Sequence, residues 1–104
     1  MTVVSVYATF ASADEAERIA RAVVTERLAA CANILAPCHS IYRWHGAIEE
    51  AAETPAIFKT SRDQADGLIA RIAALHSYEN PCIAVWPIDK LPVDYAEWVE
   101  ASVR

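Results

Sequence analysis

Residues 33–50 constrain the fold more than any other part of the chain. They run Asn33, Ile34, Leu35, Ala36, Pro37, Cys38, His39, Ser40, Ile41, Tyr42, Arg43, Trp44, His45, Gly46, Ala47, Ile48, Glu49 and Glu50. The stretch includes Gly46, one of only two glycines in the protein. A tight turn often needs a positive φ, which glycine supplies at little cost. The stretch therefore predicts a hairpin turning at His45-Gly46, with Trp44 opposite Ala47, Tyr42 opposite Glu49 and Cys38 opposite Glu53. Side chains alternate along a strand. One face then carries Cys38, Ser40, Tyr42, Trp44, Glu49 and Glu53, and the other carries His39, Ile41, Arg43, Ile48 and Glu50. The arms run from about Asn33 to about Thr60, and at roughly 3.3 Å per residue each reaches on the order of 40 Å. That is about twice a usual strand. So small a domain cannot cover such a ribbon, and exposed edges invite pairing with another chain. The length predicts an obligate oligomer. Two shorter strands, kinked at Pro37 and again near Pro55, are the alternative.

Composition narrows the class. The 104 residues predict one domain, 1–104, and 55% hydrophobic with 22% charged residues suits a folded globule. A net charge of −5 without a basic patch argues against nucleic-acid binding. No apolar run is long enough to span a bilayer, so no membrane partner is expected. Residues 3–10 are apolar and Ala11-Ser12-Ala13 looks like a processing site. However, no basic residue precedes it and cleavage would delete the first strand, so a signal peptide is rejected. Cys31, Cys38 and Cys82 are odd in number and form no C-x-x-C pair. Free thiols in a reducing compartment are expected, which places the protein in the cytoplasm.

The rest of the chain supplies a recognisable order of elements. Residues 3–9 read as a central strand. Ser12 and Glu15 form a capping box for a helix burying Ala16, Ile19, Ala20, Val23 and Leu28, with Asp14–Arg18 and Glu17–Arg21 on its wet side. Ser61 and Gln64 repeat that logic for a second helix with Ala65, Leu68, Ile69, Ile72 and Leu75 inward. Residues 83–87 predict a buried fourth strand. Asp94 and Glu97 start a short terminal helix with Tyr95, Trp98 and Val99 on its apolar side. The order βαββαβ plus a helix predicts an α+β, ferredoxin-like sandwich with a long hairpin between its second and third strands. Its uncovered sheet face again calls for subunits packed sheet to sheet.

Five blocks in order, Glu26–Asn33, Ser40–Glu49, Phe58–Thr60, His76–Pro81 and Tyr95–Trp98, resemble the CutA family of divalent-cation tolerance proteins, nearly end to end. The resemblance implies a tightly packed homotrimer held by the long hairpin strands, and a role in tolerance of copper and other divalent metals. It also implies an architecture like that of the PII-type signal proteins. Two positions depart from the family pattern. His45 stands where an acidic residue is common, and Ser77 replaces the proline of a His-Pro-Tyr-Glu block, which implies a less rigid loop after His76.

Several residues are candidates for chemistry. His76 closes a helix beside a loop with Glu79 three residues on. Imidazole is the commonest copper and zinc ligand, and a helix C-terminus also favours a capping histidine. Cys38, facing Glu53, is the best-placed thiol, giving His76, Cys38 and Glu79 as the metal candidates. Glu49, Glu50 and Glu53 form an acidic cluster that suits hard cations or a solvated edge. Tyr42, Trp44, Trp86 and Trp98 read as core or interface aromatics. The resemblance implies a subunit interface or inter-subunit cleft drawing on Tyr42, Trp44, Glu49, Lys59, Tyr78 and Trp98. The leading expectation is a non-enzymatic, cytoplasmic homotrimer that binds divalent cations, copper above all. The alternative is a PII-like regulator holding a small anionic effector between subunits through Lys59 and Arg43. An acylphosphatase-type enzyme is disfavoured, because residues 9–12 after the first strand hold neither arginine nor glycine.

Overall fold

A computed structural model describes residues 2–104. The elements run β1 (Val3–Phe10), α1 (Ala13–Thr25), β2 (Cys31–Ile34), β3 (Cys38–Trp44), β4 (Ala47–Ser61), α2 (Arg62–Leu75), β5 (Ile83–Pro87) and α3 (Val93–Ser102). The sheet order is β2-β4-β1-β5, with β3 also paired to β4, and these four pairings are antiparallel. This is the expected α+β sandwich. No helix among the described residues is long and apolar enough to cross a membrane.

The core lies between the sheet and the first two helices. Val6, Ala8 and Phe10 of β1 and Ala56 and Phe58 of β4 meet Ala16, Ile19, Ala20 and Val23 of α1 and Leu68 and Ile72 of α2. Both N-caps form, the Ser12 Oγ accepting the Glu15 N–H at 3.1 Å and the Ser61 Oγ the Gln64 N–H at 3.3 Å, but neither box closes: Glu15 accepts from Ala11 instead, and Gln64 donates to the Arg104 carbonyl. Helix α1 ends in a Schellman motif, in which Leu28 N–H donates to Val23 and Arg27 N–H to Val24. Arg27 takes the left-handed position usually given to glycine, at φ 62°. Its guanidinium bonds the Ala101 and Ser102 carbonyls, capping the C-terminus of α3. Helix α3 crosses the opposite sheet face, where the Tyr95 hydroxyl meets the Cys31 sulfur at 3.6 Å. Burial and then that contact push the Tyr95 phenol up to about 12.

Four expectations are corrected. The first hairpin arm is broken into β2 and β3, while β4 passes through Pro55 without a break. The three residues 35–37 lie opposite two, Thr54 and Pro55, so one extra residue makes a bulge. The Pro55 carbonyl accepts the Leu35 N–H at 2.9 Å. Because a strand residue's N–H and C=O point the same way, the proline's missing donor faces the bulge, and pairing with β1 is spared. Second, β5 is an edge strand with Trp86 and Pro87 exposed, not a buried one. Third, α3 starts after Pro92 with no side-chain cap, so Asp94 lies inside its first turn. Fourth, Arg18 turns toward Glu15, at 3.9 Å, instead of Asp14, whereas Arg21 and Glu17 pair at 2.9 Å as expected.

Beyond Thr54 the hairpin leaves the body. Strand β1 pairs with β4 only from Thr54 onward, and residues 47–53 have β3 as their partner. The chain measures 45 × 26 × 23 Å as a result. The turn is the two-residue kind predicted, with His45 at φ 50° and Gly46 at φ 81°. All residues from 41 to 50 are exposed, including Ile41 at 66% and Ile48 at 60%.

Candidate functional site

The root of this ribbon builds a cavity of ≈ 530 Å³ on the sheet face away from α1 and α2. Tyr7 and Thr9 come from β1, where they alternate with the core residues Val6, Ala8 and Phe10. Ser40, Tyr42 and Trp44 come from β3, and Glu49 and Glu53 from β4, all on one face as the alternation predicts. Tyr78, Asn80 and Cys82 come from the loop after α2. Tyr7 stacks on Trp86 at 4.8 Å, which fixes its ring. The Tyr78 hydroxyl donates to Glu53 Oε2 at 2.8 Å. Burial, then this bond and the Glu53 charge, push the Tyr78 phenol up to about 12, so it stays a donor. Burial also raises the Tyr7 phenol, helped by Cys38, Cys82 and Glu53.

Two buried groups hold the loop in place. His76 stacks on Phe10 at 5.0 Å. Its Nε2–H donates to the Thr9 carbonyl at 2.8 Å, and its Nδ1 accepts the Tyr78 N–H at 3.0 Å. Only the neutral Nε2–H tautomer meets both partners. Glu15 is buried, and its two oxygens accept the Ala11 N–H at 3.1 Å and the Ser77 N–H at 2.8 Å. A proline at 77 would lack that donor. Burial pushes the Glu15 carboxyl up, but the bonds from Ser77 and Ala11 outweigh it and hold the group below its ordinary 4.5.

The structure unites some candidates and separates others. Tyr42, Trp44, Glu49 and Tyr78 share the cavity. Lys59 pairs instead with Ser5 and Cys31 in the body of the sheet, and Trp98 lies in a separate groove beside Ala30, Cys31 and Ile34. Cys38 sits opposite Glu53 as expected, its sulfur 3.6 Å from the Ser40 hydroxyl, and Glu79 is exposed. His76, Cys38 and Glu79 do not converge: among the described residues no three His, Cys, Asp or Glu side chains gather as an ion would need. A metal at His76 would displace the Tyr78 N–H from Nδ1, so one chain alone does not fit a resident metal. Tyr7, Thr9 and Asn80 carry no functional signal of their own in the sequence, and Cys82 stands there only as one of three free thiols. Strand alternation marks Tyr7 and Thr9 as facing away from the core, but which loop would close over them was not readable.

A family model described as CutA1 divalent ion tolerance protein matches residues 4–102. The chain belongs to the CutA1 family. A divalent-cation tolerance protein CutA of Archaeoglobus fulgidus is 38% identical over 99 residues, 95% of this chain and 96% of its own length. One from Pyrococcus horikoshii is 40% identical over 94 residues, 90% of this chain and 91% of its own. The solved structure of a Thermus thermophilus divalent cation tolerance protein superposes with a TM-score of 0.95 at 37% identity, covering 98% of this chain and 99% of that one. CutA1 membership ties the chain to divalent-cation tolerance. It does not by itself identify ligands, and the cavity's two carboxylates without a lining Lys, Arg or His are the reverse of what an anionic effector needs.

Proposed function

We propose that the protein is a non-enzymatic, cytoplasmic homotrimer that takes up divalent cations, copper above all, in the service of cation tolerance. The observation that carries the trimer is the bare ribbon. An isolated two-stranded hairpin is marginal in water, yet this one leaves Ile41, Tyr42, Trp44 and Ile48 exposed. Its two faces differ. One bears Tyr42, Trp44 and Glu49, the other Ile41, Arg43 and Ile48. Unlike faces meet head to tail, and such contacts close into rings. A ring of three is the closure that the CutA resemblance supports. The three free thiols suit a reducing cytoplasm.

The cation is cargo of the assembly in this reading. Donors from neighbouring chains complete its shell, because the described residues of one chain hold no three-donor cluster. Native mass spectrometry of the reduced protein with Cu²⁺, Cu⁺ and Zn²⁺ tests it. The expected result is a trimer taking up an integral number of ions per chain at low excess, with copper preferred. A trimer that stays metal-free, or binds every ion in a ragged distribution, overturns copper binding.

A further inference from the structure

We propose that the cavity at the root of the hairpin is a socket for Arg43 of a second copy of this chain, so that each chain in the ring gives one arginine and receives one. The cavity face of the ribbon carries Glu49 and Glu53 beside Tyr42 and Trp44, and no Lys, Arg or His lines the cavity. The opposite face carries Arg43 beside Ile41 and Ile48, and the one carboxylate on that face, Glu50, is held by His39. Among the described residues Glu49, Glu53 and Arg43 form no ion pair. Each face holds the charge that the other lacks, and a head-to-tail contact lays one on the other.

Covering the ribbon makes this pairing necessary. When another chain lies on it, the two carboxylates and the guanidinium leave water, and a charge buried without a partner strongly opposes assembly. Tyr78 donates only to Oε2 of Glu53, at 2.8 Å, and leaves the other oxygen and Glu49 for an incoming cation. Arginine suits the place. Its planar fork grips a carboxylate through two parallel hydrogen bonds, it is more weakly hydrated than an ammonium, and it stacks on aromatic rings. Four such rings, Tyr7, Tyr42, Trp44 and Tyr78, wall the cavity, whose ≈ 530 Å³ has room for the arginine and an isoleucine beside it. Arg43 does not serve the cavity of its own chain, because it sits on the far face of the ribbon, across the ladder from Ile48. The bonds of His76 and Glu15 pin the loop that carries Tyr78, so the socket is shaped before the second copy arrives.

The pairing rests on the proposed trimer and deepens it, and one experiment separates the two. Isotope-labelled and unlabelled protein are mixed, and exchange of subunits between assemblies is followed by native mass spectrometry, with each variant's fold checked by circular dichroism. Arg43→Ala is expected to exchange at least about tenfold faster than the wild type. Glu49→Gln/Glu53→Gln, in which glutamine keeps an acceptor for Tyr78, is expected to do the same. The triple variant should exchange no faster than the faster of these two, because both changes break one contact. In a single chain Arg43 and the two glutamates lie on opposite faces, so that coupling reports a contact between chains. A trimeric wild type whose Arg43→Ala variant exchanges at the wild-type rate overturns the pairing and leaves the trimer standing. So does a triple variant in which the two effects multiply, as they would at independent sites. A wild type that is a monomer overturns both.

Discussion

Strand β4 is one 15-residue strand that lives in two environments. From Thr54 to Ser61 it is the centre of the sheet, flanked by β1 and β2, and its inward side chains Ala56, Phe58 and Thr60 are fully buried. From Ala47 to Glu53 it pairs with β3, and no residue is buried. The body half obeys the rules for a chain folded alone. The ribbon half breaks them by exposing isoleucines, and on that exposure the proposed assembly rests.

This contrast orders the expected effects of mutation. Phe58→Ala opens a cavity in the body and should cost about 3–5 kcal/mol in urea unfolding. Ile48→Ala, in the ribbon, should cost under about 1 kcal/mol in a separated chain and act on association instead. A comparable loss from both would erase the distinction. His76→Ala should cost about 2–4 kcal/mol, since it orphans the Thr9 carbonyl and Tyr78 N–H under Phe10. An unchanged melting temperature would show that the loop holds without it.

Glu15 gives a pH test. Its carboxyl is lower in the folded than in the unfolded chain, so its stabilisation is complete above the unfolded value of 4.5 and is lost as pH falls through the folded one. The wild type should therefore lose melting temperature below pH 4.5. Glu15→Gln should be about 1–2 kcal/mol less stable at neutral pH and show a flatter acid limb. Parallel acid limbs would remove Glu15 from the account. The smallest effect belongs to the turn. His45→Asn, at φ 50°, should raise stability by about 0.5 kcal/mol, because asparagine tolerates the left-handed region better. A loss would point to the contact of His45 with Trp44, 4.7 Å between rings.

The ribbon was the most legible part of the chain because Gly46 fixes the turn, and from a fixed turn the pairing of Trp44 with Ala47 and of Cys38 with Glu53 follows by counting. The count fails past Pro37, where a bulge shifts the register and brings Cys31 opposite Lys59. Both prolines were visible, but only the direction of the Pro55 carbonyl shows why one strand breaks and the other does not. The helices followed from their caps and periodicity. Strand β5 read as buried because its residues are apolar, whereas its place at the sheet edge is a matter of topology. Half of the cavity was readable as one face of the hairpin. Its other half, Tyr7 and the loop from Tyr78 to Cys82, depends on Glu15 and His76 holding segments more than sixty residues apart, a relation no local pattern carries.

In the proposed assembly the ribbon is covered by copies of the same chain. Sedimentation equilibrium of the wild type beside Ile41→Glu/Ile48→Glu tests it most directly. The wild type should sediment with the mass of three chains across the accessible concentration range, and the double variant as a folded monomer by circular dichroism. A wild type that is monomeric at all concentrations, or a double variant that remains a trimer, would contradict it.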